Sequence, residues 1–144
     1  MKRPIRSLEV TYHLHATEDP EKVALAVAAT MTAGAASQED EMEGHYGNTI
    51  TAVRIHLVGD EAWKAFERIL TRLTPERKEH LVHNLNSYVD EHSVLYLRFD
   101  KQGLFKGSLA LDSPDPVRVK VRPRPFLPMQ DTAAFYAKLL GVGE

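Results

Sequence analysis

Val117-Arg118-Val119-Lys120-Val121-Arg122 alternates a β-branched apolar residue with a cation over six positions. Successive side chains of a strand point to opposite faces. The stretch therefore reads as a strand with three valines turned to a core and three cations turned away from it. Two other stretches repeat the pattern. Arg54 and His56 alternate with Val53, Ile55 and Leu57, while Tyr96 and Arg98 alternate with Leu95, Leu97 and Phe99. If the three share one sheet, one face is apolar and covered and the other shows Arg, Lys, His and Tyr to solvent. A basic sheet face with aromatic rings suits RNA, whose phosphates need cations and whose unpaired bases need stacking partners.

Around these strands the chain alternates strands and helices. Ile5 to His15 reads as a first strand, with Leu8, Val10, Tyr12 and Leu14 on one side and Glu9, Thr11, His13 and His15 on the other. Thr17, followed by two acids and Pro20, supplies a helix start, and Val23, Val27 and Met31 carry that helix toward Gly34. The small and acidic residues from Ala35 to Glu43 read as a loop, and the turn Gly44-His45-Tyr46-Gly47-Asn48 feeds a strand over residues 50–58. Gly59-Asp60 opens a second helix on Trp63, Phe66, Ile69 and Leu73. Thr74-Pro75-Glu76 opens a third, with Leu81, Leu85, Tyr88 and Val89 inward. Residues 94–100 and 108–111 read as strands before the last strand over 117–122.

This order predicts an α+β fold: a single mixed, largely antiparallel sheet with helices packed on one face. Such a sheet leaves its other side to be solvated or bound. Pro123, Pro125 and Pro128 interrupt the pattern. Residues 1–124 are therefore expected to form a single domain, and residues 125–144 a C-terminal tail with a short helix from Thr132 to Leu140.

Composition narrows the function classes. The 144 residues are 43% hydrophobic and 26% charged, as in an ordinary globular domain. No apolar run is long enough for a bilayer, so no membrane is expected. The absence of cysteine excludes disulfides and thiolate chemistry and fits the cytoplasm. A formal charge of −2 excludes a wholly basic binder but leaves a local basic patch open.

Three segments carry a resemblance: His15-Ala16-Thr17-Glu18-Asp19, Glu43-Gly44-His45-Tyr46-Gly47-Asn48 and Leu95-Tyr96-Leu97-Arg98-Phe99-Asp100-Lys101-Gln102. In that order and spacing they resemble the signatures of an archaeal family described as RNA-binding proteins or predicted exosome subunits, over roughly residues 5 to 122. The resemblance implies a fold similar to that of the ribosomal protein that binds 5S ribosomal RNA. It also implies a role in RNA processing or near ribosomal RNA.

The candidate RNA-binding residues are Arg54, His56, Arg98, Arg118, Lys120 and Arg122 on the sheet face, with His45, Tyr46 and Lys101 at its rim. His45 and Tyr46 can stack on unpaired bases or simply close a strand-entry turn. Lys101 can meet a phosphate, and Asp100 before it can orient Arg98 or begin a turn. No phosphate-binding loop, dinucleotide glycine pattern or nucleophile elbow is present, so no cofactor and no catalysis are expected.

Two other readings stand beside RNA binding. One is a protein-interaction or homodimerisation module using Phe135, Tyr136, Leu139 and Leu140 of the C-terminal helix. The other is a metal-dependent enzyme holding its ion on His13, His15 and His56.

Overall fold

The computed structural model describes residues 4–43, 47–111, 113–125 and 127–141. His45 and Tyr46, two of the expected rim residues, lie outside the described residues.

Five strands form one sheet: β1 (Ile5–Leu14), β2 (Gln38–Glu43), β3 (Thr49–Val58), β4 (Leu95–Asp100) and β5 (Pro116–Pro123), in the order β2-β3-β1-β5-β4. Every pairing is antiparallel, which resolves the mixed sheet of the sequence reading. The helices are α1 (Pro20–Val27), α2 (Gly59–Arg72), α3 (Pro75–His83), the single turn α4 (Lys101–Leu104) and α5 (Thr132–Leu140).

The sheet's inner face supplies Leu8, Val10, Tyr12, Val53, Ile55, Leu97, Val119 and their neighbours to a single core. Val23 and Val27 of α1, Ala62, Phe66 and Ile69 of α2, Leu81 of α3 and Tyr136 of α5 close over it. All helical coverage is thus on one side of the sheet.

The alternation of the last strand is realised residue by residue: Val117, Val119 and Val121 are buried, Arg118 is exposed, and Lys120 and Arg122 are part-exposed. Gly59, at a φ of 59°, turns β3 directly into α2. Thr74 caps α3 by accepting from the Arg77 N–H, as its position before Pro75 predicts. The cap of α1 is Asp19, whose carboxylate accepts from the Glu21 N–H, rather than Thr17. With Pro20 fixing the first turn, the residue immediately before it holds the capping position.

Three segments depart from the reading of the sequence. Residues 38–43 are strand β2, paired with β3 from Gln38↔Arg54 to Glu43↔Thr49, instead of part of a loop. Residues 108–111 form only an isolated bridge, Phe99↔Leu111, instead of a strand. The last segment also makes more contact with the body than a tail would. Tyr136 and Leu140 lie in the common core, and the Tyr136 hydroxyl donates to the Ser93 carbonyl.

Candidate nucleic-acid interface

The strand register decides which side chains meet on the uncovered face. On the central strand β1, Thr11 lies opposite Arg54 of β3 and Arg118 of β5. Arg118 in turn lies opposite Arg98 of β4. One row across the sheet is therefore Gln38, Arg54, Thr11, Arg118, Arg98. The next row is His56, Glu9, Lys120, Tyr96. Beyond it, Ser7 pairs with Val58 and Arg122. The three cationic rows of the sequence do share one face, with β1 inserted between the row on β3 and those on β5 and β4.

A β-bulge in β1 extends this face. The pairing shifts between Ile5↔Pro123 and Ser7↔Arg122, so the extra residue is Arg6. The bulge lets Ile5 return to the core while Arg6 stays exposed. Arg124 continues past the end of β5, its N–H donating to the Pro4 carbonyl and its guanidinium lying over the Phe135 ring. Arg6, Arg122 and Arg124 line one cavity of about 770 Å³. Arg6 did not stand out in the sequence, since a bulge hides its direction; Arg124 could be read as extending the row past the strand, with a proline on either side leaving its direction open.

The electrostatics of the face are one-sided at its centre. Arg98 and Arg118 are directly opposed, an arrangement that costs free energy in the absence of an anion. Glu9 is the acid among them, with a carboxylate oxygen 3.9 Å from the Arg54 guanidinium. His13 is held below the ordinary histidine range, first by burial and then by the charge of Arg118. Tyr96 donates to Asp90 at 3.0 Å, and the Lys120 ammonium lies 5.6 Å from the centre of its ring. Burial works to raise the Asp90 carboxyl, but the N–H groups of Val94 and His92 and the Tyr96 hydroxyl outweigh it and hold it low. At the far edge β2 is wholly exposed; Gln38 and Asp40 share the open face with Arg54, while Glu39, opposite the buried Val53, lies on the other side with Glu41 and Glu43.

Lys101 is not at the rim. Its side chain is 1% exposed, and its ammonium donates to the His13 carbonyl at 2.6 Å and to Glu18 at 2.8 Å. A second ion pair joins it to Asp115 at 3.0 Å. It pins the start of α4 to the β1–α1 turn and has no ammonium surface left for a phosphate. Asp100 before it caps α4 by accepting from the Gly103 N–H, which favours the turn-forming alternative over orientation of Arg98.

The histidine triad is not assembled either. His56 is opposite Glu9 and His13 opposite Ala52, four residues along the strand, or about 13 Å. His15, Glu18 and Asp115 do converge, but the cation between the two carboxylates is the Lys101 ammonium.

An antiparallel sheet with helices on one side and cations on the uncovered other side defines a small α+β protein built around an open basic surface. The chain belongs to the family described as RNA binding, whose model matches residues 7–123. It is 30% identical to a Pyrococcus abyssi protein named as an RNA-binding protein, over 94% of this chain and 92% of the other. A solved protein of Archaeoglobus fulgidus is 29% identical with a TM-score of 0.76, covering 94% of this chain and 99% of its own. One from Methanothermobacter thermautotrophicus, 24% identical, shares the fold at a TM-score of 0.78, with coverages of 96% and 98%. Among the described residues, no helix is long and apolar enough to cross a membrane.

Proposed function

We propose that this chain binds RNA through the uncovered sheet face, with Arg54, His56, Arg98, Arg118, Lys120 and Arg122 as its contacts. The observation that carries the reading is the cross-strand row Arg54, Thr11, Arg118, Arg98. It gathers cations on a surface that none of α1 to α5 covers, in a chain whose overall charge is negative. Each Lys or Arg that neutralises a phosphate releases condensed counterions, giving affinity that depends on salt and little on sequence. Phosphates between Arg98 and Arg118 also relieve the repulsion of that pair. The family membership supports the same ligand.

The chain acts in this reading by binding alone, in the cytoplasm. An accessory role in RNA processing, at an exosome or near ribosomal RNA, is the biological setting that the family resemblance suggests. The C-terminal helix contributes to the chain's own fold: of the four residues that the interaction-module reading would dock on a partner, Tyr136 and Leu140 are buried internally, and Phe135 and Leu139 are partly buried against the core.

The test is the variant Arg118→Ala/Lys120→Ala/Arg122→Ala. All three side chains lie on the outer face, so the variant keeps the wild-type circular dichroism spectrum and melting behaviour. Its affinity for RNA in an anisotropy titration falls by ten-fold or more. A folded variant with undiminished affinity rejects the assignment.

A further inference from the structure

Two cavities lie side by side on the open face, and Tyr96 and Lys120 line both. The larger, of about 770 Å³, is bounded by Arg6, Arg122 and Arg124 on one side and by the turn at Asp90–Val94 on the other. Its apolar lining includes Leu127 and Met129. The smaller, of about 400 Å³, is lined by Arg98 and Arg118 together with Glu9, Thr11 and Val119. Tyr96 and Lys120 are thus a ridge with cations on either side.

Tyr96 is an exposed aromatic residue on the sheet's open face; Phe105, also exposed, follows α4 outside the sheet. Tyr96 is 41% exposed and its ring is held in place from below by the hydroxyl's bond to Asp90. Asp90 is in turn fixed by the N–H groups of His92 and Val94. The Lys120 ammonium lies over one face of the Tyr96 ring; a base stacking on the ring takes the other face, or displaces Lys120 toward a phosphate, while neighbouring phosphates meet arginines. The cavities combine polar and apolar walls, which suits a nucleotide better than a bare anion, and both fall within the ~300–1,000 Å³ of small-ligand sites.

We infer that the RNA taken by this face is single-stranded and crosses the Tyr96 ridge, one base stacking on the Tyr96 ring and its neighbours lying in the two cavities. The inference rests on the RNA reading above and names the class of RNA. A duplex keeps its bases stacked inside and offers only backbone and groove edges, so it reaches the arginines but neither the ring nor the depths of the cavities. The larger cavity is completed by Arg124, Pro125, Leu127 and Met129, beyond the segment matched by the family model. The start of α5 is tied to the opposite side, its Thr132 hydroxyl bonding to the buried Ser93 between the wall residues His92 and Val94.

The full-length chain is titrated with fluorescent oligouridylate, which has no stable secondary structure, and with a blunt RNA duplex of equal phosphate number. The wild type binds oligouridylate more tightly, and Tyr96→Ala reduces that preference about ten-fold, the loss of one base–aromatic stack. Tyr96→Phe, which keeps the ring and loses the hydroxyl, retains the preference. Three outcomes overturn the inference: equal wild-type affinity for the two probes, equal loss for both in Tyr96→Ala, or a Tyr96→Phe variant as impaired as Tyr96→Ala. In each of these, salt-sensitive duplex binding that depends on Arg118, Lys120 and Arg122 leaves the broader RNA reading standing. Failure to bind either probe overturns both.

Discussion

Lys101 and Arg118 are cations that follow or sit within a strand, yet the fold puts them to opposite uses. Arg118 is exposed on the open sheet face, while the Lys101 ammonium is enclosed by Glu18, Asp115 and the His13 carbonyl. Alternation in the sequence reveals the direction of Arg118 because its strand is regular. Lys101 sits at the first position of a helical turn, where Glu18 and His13 lie 83 and 88 residues away in the chain and Asp115 lies beyond a connection, so none leaves a local signal. Removing a buried charge strands its partners. Lys101→Met is therefore expected to destabilise the fold by about 2–4 kcal/mol, somewhat less than a fully buried pair because Asp115 is half exposed. Urea denaturation measures this, and RNA affinity of the folded variant stays at the wild-type level.

His13 gives a second residue-scale expectation. Burial and Arg118 hold its folded pKa below the ordinary value of about 6.5. Its contribution to stability is present above that value and declines as pH falls toward the folded pKa. A phosphate that neutralises Arg118 raises the His13 pKa in the complex, so binding takes up protons and RNA affinity increases as pH falls below neutrality. The His13→Gln variant should lose about a two- to five-fold share of that increase, the scale of an exposed charge interaction. An identical pH dependence in variant and wild type would remove His13 from the interface.

At the scale of elements, the strands with alternating apolar residues were legible because burial of one face imposes a period of two. Strand β2 was not, since Gln38-Glu39-Asp40-Glu41-Met42-Glu43 has almost no apolar residues and all six are exposed. Its register comes from hydrogen bonding to β3, and its charges guard an otherwise open edge. The bulge at Arg6 was equally hidden, because it answers to Pro123 on the neighbouring strand.

The prolines after β5 suggested a loosely attached end, yet α5 carries the fully buried Tyr136. Burial, and then the Asp90 charge, push its hydroxyl's pKa upward, so it remains a neutral donor to Ser93. Tyr136→Phe leaves the buried Ser93 carbonyl without this partner and should cost about 1–3 kcal/mol in thermal or chemical denaturation. A variant as stable as wild type would show that the bond adds nothing to the attachment of α5. Ser93 itself, at a φ of 64°, is a strained position that the Thr132 and Tyr136 contacts hold in place.

At the scale of the molecule, charge is sorted by side. The chain carries a formal charge of −2, but the middle of its uncovered face is cationic and the far edge strand is acidic. The fold class and this sorting could be read from three short alternating stretches; the path of β1 between them, which sets their spacing, required the structure. The measurement that isolates the effect is the slope of log affinity against log salt for an RNA oligonucleotide. Arg118→Ala/Lys120→Ala/Arg122→Ala should lower the slope by about 2, the counterions of three single-strand phosphate contacts. Removing three exposed cations from the helical side, Lys22→Ala/Lys64→Ala/Lys138→Ala, should leave it unchanged. Equal slopes for the two triple variants would contradict RNA binding on the sheet face.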